Sequence, residues 1–426
     1  MNTNNNRQRR GAPYSSQKRK PFHSSSRSGG GSRGPSRGPA RGGFRGGARG
    51  GARGGRKMPT FNPANFINTN PKKVVQEEYV PEHSFENIGI NKKFADHIVK
   101  LGMTKPTPIQ DQIIPTILKG QDVIGLAETG TGKTAAFLIP LIEKALKDQN
   151  RQTLIIAPTR ELAVQIRDEL QKLSSCFRIF SAMCVGGVDI RPQLRAVSRP
   201  NDFVIGTPGR ILDLIKRGAL KPQYITTVVL DEADRMLDMG FITDIKKIIS
   251  EIPKERETLF FSATFDVKTK KLTDDFLKDP VTVSVKKNDI TQSIEQDVVH
   301  YLQADKFGTL TNLLKDPELK RVLIFGAMKH SVQKIAQQLS DSGISATAIH
   351  GNKTHGQRQN ALSRFKSGEA RVLVATDVAA RGIHVEQVSH VINYDLPGTF
   401  EDYVHRIGRT GRGDKQGKAL TFVPKR

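Results

Sequence analysis

The chain has 426 residues, a length that predicts two or three domains, and 67 Lys and Arg against 42 Asp and Glu give it a formal net charge of +25 at pH 7. This surplus predicts a polyanionic partner, with nucleic acid favoured over a membrane surface. No apolar run reaches the roughly 18 residues that a membrane span needs. The first residues, MNTNNNRQRRG, lack the apolar core of a secretory signal, and two cysteines exclude a disulfide framework or an all-cysteine zinc site. We therefore expect a soluble protein of the cytoplasm that has no membrane segment.

The N-terminal residues 1–57 differ in composition from the rest of the chain. They contain 15 Lys or Arg, no Asp or Glu, and 14 of the 38 glycines. Such a segment cannot bury enough apolar surface to offset the entropy of ordering, which predicts a disordered tail. A repeat begins at Arg41, Arg45, Arg49 and Arg53 and reads RGGF, RGGA, RGGA and RGG. Because guanidinium groups bind phosphates and stack on bases, the repeat favours sequence-tolerant RNA binding; a tail that serves only solubility is the alternative.

Two blocks of alternating strand and helix patterns follow a linker at 58–83, which contains four prolines. From Phe85 onward, short runs rich in β-branched residues predict parallel sheets with helices on both faces, an α/β fold. The polar segment 286–296 separates the blocks, so we expect one domain at 84–285, a linker at 286–296 and a second domain at 297–426. The predicted strands lie at 122–126, 153–157, 202–206, 226–231 and 258–262 in the first block, and at 321–325, 346–350, 371–376, 388–395 and 418–423 in the second.

The segment AETGTGKT (127–134) follows a predicted strand and opens a helix with apolar periodicity, which is the context of a phosphate-binding loop. Gly130 and Gly132 allow backbone amides to curve around phosphate oxygens, and the helix N-terminus attracts the anion. Lys133 is expected to reach the β- and γ-phosphates, and the Thr134 hydroxyl is expected to bind Mg²⁺. A glycine-rich turn without a ligand is the alternative.

A second motif, VVLDEAD (228–234), is an apolar strand that ends in three carboxylates. Asp231 suits Mg²⁺, and Glu232 suits a general base that orients an attacking water. Acidic residues are also common at helix N-termini, which is the alternative for this motif alone. Together with the phosphate loop, however, the acids predict a two-part site for Mg²⁺ and phosphate.

With these two motifs, the sequence resembles the DEAD-box ATP-dependent RNA helicases of superfamily 2. The resemblance extends over about 85–423 and implies two tandem RecA-like parallel-sheet domains, an RNA-dependent ATPase and helicase activity, and ATP with Mg²⁺ as cofactor. The further matching segments are PTPIQ (106–110, the Q motif, with Phe85 upstream), PTREL (158–162, motif Ia), Gly186 with Gly187 (the GG pair), TPGR (207–210, motif Ib), SAT (262–264, motif III), ATDVAARG (375–382, motif V) and HRIGRTGR (405–412, motif VI).

For the nucleotide, the carboxamide of Gln110 can pair with adenine N6 and N7, and the Phe85 ring is expected to stack on the base. By resemblance, Arg409 and Arg412 are arginine fingers that stabilise the γ-phosphate in the transition state. The full set of predicted ATP contacts is Phe85, Thr107, Gln110, Ala127, Glu128, Thr129, Gly130, Thr131, Gly132, Lys133 and Thr134.

Several residues near strand ends carry hydroxyl, amide or guanidinium donors. These donors predict contacts to the RNA backbone, which do not depend on the base sequence. The candidates are Thr159, Arg160, Gly187, Thr207 and Arg210 in the first domain, and Arg358, Thr376 and Arg381 in the second. Ser262 and Thr264 are expected to bind the acids at 231–234 and couple the ATP state to the RNA state, while His405 and Arg406 are expected to make interdomain contacts. Ribosomal or RNA-degradation complexes are further candidate partners.

The sequence departs from the family pattern at a few positions. His384 stands where the family usually has an acidic residue that by resemblance touches the ATP ribose, and His355 replaces a usual Gln. The chain ends at Arg426, just past a predicted strand, so we expect that a last helix is missing or that the chain is a fragment. Two other functions are alternatives: an RNA chaperone or scaffold that acts through the RGG tail, and a DNA helicase with a similar core.

Overall fold

A computed structural model of the protein describes residues 67–69, 71, 79–127, 130–148, 150–285, 294–380, 388–411 and 417–425. Several predictions lie outside these residues: the basic tail, and the roles of Glu128, Thr129, Arg381, His384 and Arg412. None of the helices in the described part of the chain has both the length and the apolar character that crossing a bilayer requires.

The first α/β unit is built on a parallel sheet. Its strands are β1 (Val123–Ala127), β2 (Gln152–Ile156), β3 (Ser181–Cys184), β4 (Phe203–Gly206), β5 (Ile225–Leu230), β6 (Glu257–Ser262) and β7 (Val281–Val285). They are ordered β3-β4-β2-β5-β6-β1-β7, and every pair is parallel. Side chains along a strand alternate between the two faces: Ile155 and Val229 lie in one buried apolar cluster, and Leu154 and Val228 lie in the other. Both faces are therefore covered, as the near-continuous apolar runs predict.

The helices of this unit begin at residues that suit helix N-termini. Asn91 accepts a hydrogen bond from the Phe94 amide, Thr159 accepts one from the Leu162 amide, and Thr107 forms a capping box with Gln110. The helices are α1 (Lys92–Lys100), α2 (Pro108–Leu118), α3 (Lys133–Lys147), α4 (Arg160–Leu173), α5 (Arg191–Val197), α6 (Pro208–Lys216), α7 (Ala233–Asp238), α8 (Ile242–Glu251) and α9 (Val267–Phe276), with a 3-10 turn at Pro222–Tyr224.

The second α/β unit has the same plan. Its strands are β8 (Glu295–Tyr301), β9 (Val322–Phe325), β10 (Ala346–Ile349), β11 (Val372–Ala375), β12 (His390–Asn393) and β13 (Lys418–Pro424), ordered β10-β11-β9-β12-β13-β8 and all parallel. Its helices are α10 (Lys306–Leu313), α11 (Lys329–Asp341), α12 (His355–Ser367), α13 (Asp377–Ala380) and α14 (Phe400–Ile407), with a 3-10 turn at Gln303–Asp305. Ile324 and Val374 pack in one buried cluster, whereas Leu323 and Leu373 pack in the other.

The predicted α/β class with two parallel sheets is confirmed, and each of the ten predicted strands overlaps a strand of the structure. Strands β3, β7 and β8 were not predicted. β8 begins at Glu295, inside the segment 286–296 expected to be a linker. The end of this polar segment forms a strand because residues there are buried: Ile294 is 0% exposed and Gln296 is 4% exposed. The Gln296 side chain also accepts a hydrogen bond from the Tyr403 hydroxyl at 2.8 Å.

Candidate functional site

The carboxyl ends of the strands of the first sheet gather the predicted site residues of that unit. Because the strands are parallel, the segments that follow them all leave at the same edge, where open α/β sheets bind ligands. In sheet order, the segments after β3, β4 and β2 carry Gly186–Gly187, Thr207–Arg210 and Thr159–Arg160. The segments after β5, β6 and β1 carry Asp231–Asp234, Ser262–Thr264 and the phosphate loop.

The backbone of the phosphate loop adopts left-handed conformations at its two glycines. Gly130 and Gly132 have φ angles of 90° and 95°, in the left-handed region that favours glycine. Gly132 also lies against α2, since a Cβ there would be 2.6 Å from Gln110 Nε2. The Lys133 ammonium is buried and donates a hydrogen bond to the Ala127 carbonyl at 2.5 Å. This hydrogen bond holds the Lys133 ammonium group against the phosphate loop.

A cleft of about 940 Å³ brings together seven of the predicted nucleotide, metal and catalytic residues. Arg321 and Lys366 of the second unit also line it, and the sequence did not predict them. Phe85 is 1% exposed and packs in the apolar core instead, so stacking of its ring on a base stays a prediction. The predicted residues that line the cleft are Gln110, Gly130, Gly132, Lys133, Thr134, Asp231 and Glu232.

The two acids that follow β5 are buried. Burial raises the pKa of Asp231 from 3.8 to about 6, with the neighbouring carboxylates of Glu232 and Asp234 adding to the shift and Lys133 opposing it. Glu232 has a φ of 52°, an uncommon value for a residue with a Cβ. Its Oε2 lies 2.7 Å from Nη1 of the buried Arg235. The sequence did not predict this ion pair, because Glu232 precedes α7 in a left-handed conformation and the spacing rule for pairs within a helix does not cover it.

The expected contact between motif III and the acids is made at Asp234. Asp234 Oδ2 accepts hydrogen bonds from the Ala263 amide at 3.0 Å, the Thr264 amide at 3.1 Å and the Thr264 hydroxyl at 3.3 Å. The Ser262 hydroxyl donates to the Thr264 carbonyl at 2.7 Å and so supports this turn rather than binding an acid. The coupling role of these two residues stays a prediction.

A second cleft, of about 410 Å³, brings together five of the residues predicted to bind RNA: Thr159, Arg160, Thr207, Arg210 and Arg358. Burial, together with Arg358 and Arg210, holds the pKa of the Arg160 guanidinium below its ordinary value. Nη2 of Arg210 donates to the Val188 carbonyl at 3.1 Å. Nε of Arg358, on α12, lies 3.1 Å from the Glu161 carboxylate. Three guanidinium groups thus line one small cleft.

The predicted glycine at 187 has a steric explanation. Its φ is +71°, and a Cβ at this position would lie 2.0 Å from Nη2 of Arg160. The guanidinium of Arg160 therefore covers the space that a side chain would need. The positive φ favours glycine, and a side chain at this position would have to displace the guanidinium of Arg160.

Most of the predicted residues that the structure describes in the second unit do not line either cleft. Arg406 is 2% exposed and binds both Asp377 carboxylate oxygens, at 2.6 and 2.7 Å, and the Asp395 carbonyl, at 2.6 Å. These partners belong to its own unit, so the interdomain role of Arg406 stays a prediction. Arg409 is 7% exposed. Arg409, Thr376 and His405 line neither of the two clefts.

Comparison with known proteins agrees with this geometry. Residues 107–272 match the DEAD/DEAH box helicase family, and residues 305–414 match the helicase conserved C-terminal domain. The DEAD-box ATP-dependent RNA helicase CshA of Geobacillus kaustophilus is 44% identical over 345 residues, which cover 80% of this chain and 74% of that protein. The protein of the same description from Bacillus subtilis is 46% identical over 347 residues, which cover 80% of this chain and 70% of that one.

Solved structures show the same fold. Dbp5 of S. cerevisiae bound to RNA and ADP BeF3 has a TM-score of 0.71 at 30% identity, over 80% of this chain and 90% of that chain. The DEAD-box helicase Mss116 bound to ssRNA and UDP-BeF has a TM-score of 0.72 at 28% identity, over 81% of this chain and 77% of that chain. The two parallel sheets are therefore RecA-like, and the chain belongs to the DEAD-box family of ATP-dependent RNA helicases.

Proposed function

We propose that this RNA-dependent ATPase hydrolyses ATP in the 940 Å³ cleft and holds the RNA backbone in the 410 Å³ cleft beside it, within domains at 84–285 and 297–426. The observation that carries the proposal is the placement of the phosphate loop, the acids and the arginines along one edge of the first sheet. ATP and RNA bound side by side would be positively coupled by linkage. Closing the two domains on them bends one RNA strand, which unwinds short duplexes and remodels RNA–protein complexes.

Binding of the triphosphate falls to the loop after β1. Amides near Gly130 and Gly132 bind phosphate oxygens, as does Lys133 after it leaves the Ala127 carbonyl. Gln110 reads the adenine edge, for which its carboxamide exchanges its present bonds to the Thr107 amide and the Gly132 carbonyl. The remaining proposed contacts are Phe85, Thr107, Ala127, Glu128, Thr129, Thr131 and Thr134.

The residues present fit Mg²⁺, a hard cation that prefers oxygen ligands. The Thr134 hydroxyl and the Asp231 carboxylate line the same cleft. These two side chains would hold the ion together with phosphate oxygens of the nucleotide and water. When bound, the ion neutralises the charge that develops on the phosphates.

Glu232 acts as the base in hydrolysis. It accepts a proton from water, whose oxygen bonds to the γ-phosphorus as the bond to the β–γ bridging oxygen breaks, giving ADP and phosphate. Arg235, 2.7 Å from Glu232, fixes the direction of the carboxylate. Arg409 and Arg412 stabilise the transition-state charge after the domains close.

RNA is bound through its phosphates and 2′-hydroxyls by Thr159, Arg160, Gly187, Thr207, Arg210, Arg358, Thr376 and Arg381. The basic tail adds contacts that are independent of sequence. RNA–protein complexes of the cytoplasm, such as ribosomal or degradation complexes, are the proposed setting. Ser262 and Thr264, with His405 and Arg406, connect the ATP state to the RNA state.

The decisive experiment measures ATP hydrolysis with and without single-stranded RNA. We expect stimulation by RNA and its loss in Lys133→Ala, and an absence of stimulation contradicts the closure model. A scaffold that acts through its tail alone keeps its RNA-remodelling activity in Lys133→Ala. Competition binding with RNA and DNA of the same sequence shows which nucleic acid the protein prefers, and so tests the alternative of a DNA helicase.

Deletion of residues 1–57 tests the tail separately. These residues contain 15 of the 67 Lys and Arg. We expect weaker RNA binding and a flatter dependence of the logarithm of affinity on the logarithm of salt concentration, because fewer counterions are released. An unchanged slope shows that the tail does not contact phosphates.

A further inference from the structure

Asp111 makes a set of contacts that the mechanism above does not use. Its side chain, one residue after Gln110, is 2% exposed. Oδ2 accepts hydrogen bonds from the Tyr79 hydroxyl at 2.6 Å and the Glu82 amide at 2.8 Å. Oδ1 accepts one from the His83 amide at 3.1 Å and lies 2.8 Å from Nδ1 of the same residue. Both carboxylate oxygens are thus occupied by one short upstream segment.

The carboxylate is a strong anchor because it stays charged. Burial alone would raise the pKa of Asp111, but the hydrogen bonds from Tyr79, His83 and the backbone amides outweigh burial and hold that pKa below its ordinary value. Burial and the nearby carboxylate raise the pKa of Tyr79 to about 12, so its hydroxyl remains a donor. Hydrogen bonds to a charged acceptor are about twice as strong as neutral ones. They fix the segment that leads into Phe85.

The same helical turn is fixed on its other side to the phosphate loop. Gln110 Oε1 accepts a hydrogen bond from the Thr107 amide at 3.0 Å, and its Nε2 donates to the Gly132 carbonyl at 3.2 Å. Polar contacts therefore run from residues 79–83 through Asp111 and Gln110 to the loop. A shift of segment 79–83 therefore displaces the first turn of α2 and, with it, the Gln110 carboxamide.

We propose that Asp111 is a positioning residue for nucleotide recognition, which fixes segment 79–83 and the first turn of α2 so that Gln110 is directed at the base. The inference rests on the proposed reading of adenine by Gln110. Without this anchor, the carboxamide samples more orientations, so the affinity for ATP and the discrimination against GTP both fall. The groups that carry out hydrolysis follow β1 and β5 and keep their places.

The test is Asp111→Asn, which keeps the shape of the side chain but replaces one acceptor oxygen with a donor. We expect KM for ATP to rise about tenfold, kcat to change by less than about twofold, and the preference for ATP over GTP to fall by about the same factor as the affinity. Tyr79→Phe removes one donor and keeps the ring, and we expect the same pattern at about threefold. In the Asp111→Asn background, Tyr79→Phe should have less than its effect in the parent, because both substitutions weaken the same contact.

Glu257→Gln is the matched control. Glu257 is also a buried carboxylate, 7% exposed and 2.8 Å from the Lys144 ammonium, but it lies at the amino end of β6, away from the clefts. We expect it to lower the free energy of unfolding and leave KM and base preference unchanged. Asp111→Asn overturns the inference if it behaves in the same way. Should Asp111→Asn fail to fold, an unchanged KM in Tyr79→Phe overturns it.

Gln110→Ala separates this inference from the function on which it rests. If Gln110→Ala reduces base preference and Asp111→Asn does not, only the role of Asp111 is wrong. If Gln110→Ala leaves base preference unchanged, the proposed reading of adenine fails and the inference fails with it. Loss of base preference in both variants, with kcat retained in Asp111→Asn, supports the inference.

Discussion

The carboxyl edge of the first sheet has two halves of different chemistry. The segments after β5, β6 and β1 carry carboxylates, hydroxyls and one buried ammonium group, whereas those after β3, β4 and β2 carry two arginines and two threonines. A triphosphate with Mg²⁺ needs oxygen ligands and a cation at one point, but a polynucleotide backbone needs cations spaced along it. Because β2 and β5 are hydrogen-bonded neighbours, the two halves adjoin. One sheet edge can therefore hold both ligands close enough for their binding to be linked.

The largest expected effect comes from removing the proposed base, Glu232, in the nucleotide half. Glu232→Gln should lower kcat for RNA-stimulated ATP hydrolysis roughly 10²- to 10⁴-fold, because the glutamine cannot accept the proton from water. If the two halves bind separate ligands as proposed, RNA affinity without nucleotide should change by less than about twofold. Steady-state kinetics and RNA binding by fluorescence anisotropy measure the two quantities.

The variant keeps an acceptor for Arg235 but removes the counter-charge of this buried guanidinium, so we expect its free energy of unfolding to fall, as in Glu257→Gln. A parallel loss of RNA affinity in Glu232→Gln would show that the two halves are not separable in function.

The arginine half is tested by Arg160→Ala, which should weaken RNA binding roughly 10- to 100-fold, because a hydrogen bond to a charged group contributes about 1.5–3 kcal/mol. KM for ATP at saturating RNA should be unchanged. Arg364→Ala is the control: this arginine is partly exposed, lies on α12 and pairs with Glu369, so the substitution removes the same charge outside both clefts. An equal loss of affinity in both variants would attribute the effect to net charge alone.

Much of this edge could be predicted from the sequence, because strand ends and short motifs are local signals. The glycines of the phosphate loop and the acids after β5 lie where the pattern indicates. β3 could not be predicted, since its sequence SAMC has no β-branched residue and its strand form depends on pairing with β4. β8 begins in a polar segment because Gln296 is buried against Tyr403, 107 residues away.

Contacts between distant segments were also beyond sequence reasoning. Asp111 binds residues that lie 28 to 32 positions earlier in the chain, and no periodicity indicates that pairing. The left-handed backbone of Glu232 likewise follows from the turn in which it is held, not from its residue type. Sequence motifs identified the residues proposed to bind ligands or react, whereas the tertiary structure was needed to identify the residues that orient them.

The two halves should also differ in the stability cost of their carboxylates. Burial raises the pKa of Asp231 from 3.8 to about 6, so the ionised form destabilises the ligand-free fold. The folded pKa lies above the unfolded one; the cost is therefore absent below about pH 4 and complete above about pH 6. Asp231→Asn should raise the free energy of unfolding by about 1–3 kcal/mol at pH 8, and this gain should vanish at pH 4.

Urea denaturation at several pH values measures this gain. Asp213→Asn is the control from the arginine half, where the carboxylate pairs with Arg217 at 2.8 Å near the surface. A surface pair of this kind contributes about 0–1 kcal/mol, so no gain is expected. A gain in Asp231→Asn that persists at pH 4 would assign it to packing rather than to ionisation.

The smallest effect concerns the turn after β6, which we expect to transmit RNA binding to the nucleotide half. Of the three donors from the turn to Asp234 Oδ2, two are backbone amides that a side-chain replacement retains, and the Thr264 hydroxyl, at 3.3 Å, is the longest of these contacts. Ser262→Ala with Thr264→Ala should therefore reduce the stimulation of ATP hydrolysis by RNA only about two- to fivefold and leave the rate without RNA unchanged. Asp234→Ala releases both amides as well as the hydroxyl and should reduce the stimulation further. If the double variant hydrolyses ATP and unwinds RNA as the parent does, the two hydroxyls do not couple the halves, and the backbone amides bound to Asp234 become the remaining route between them.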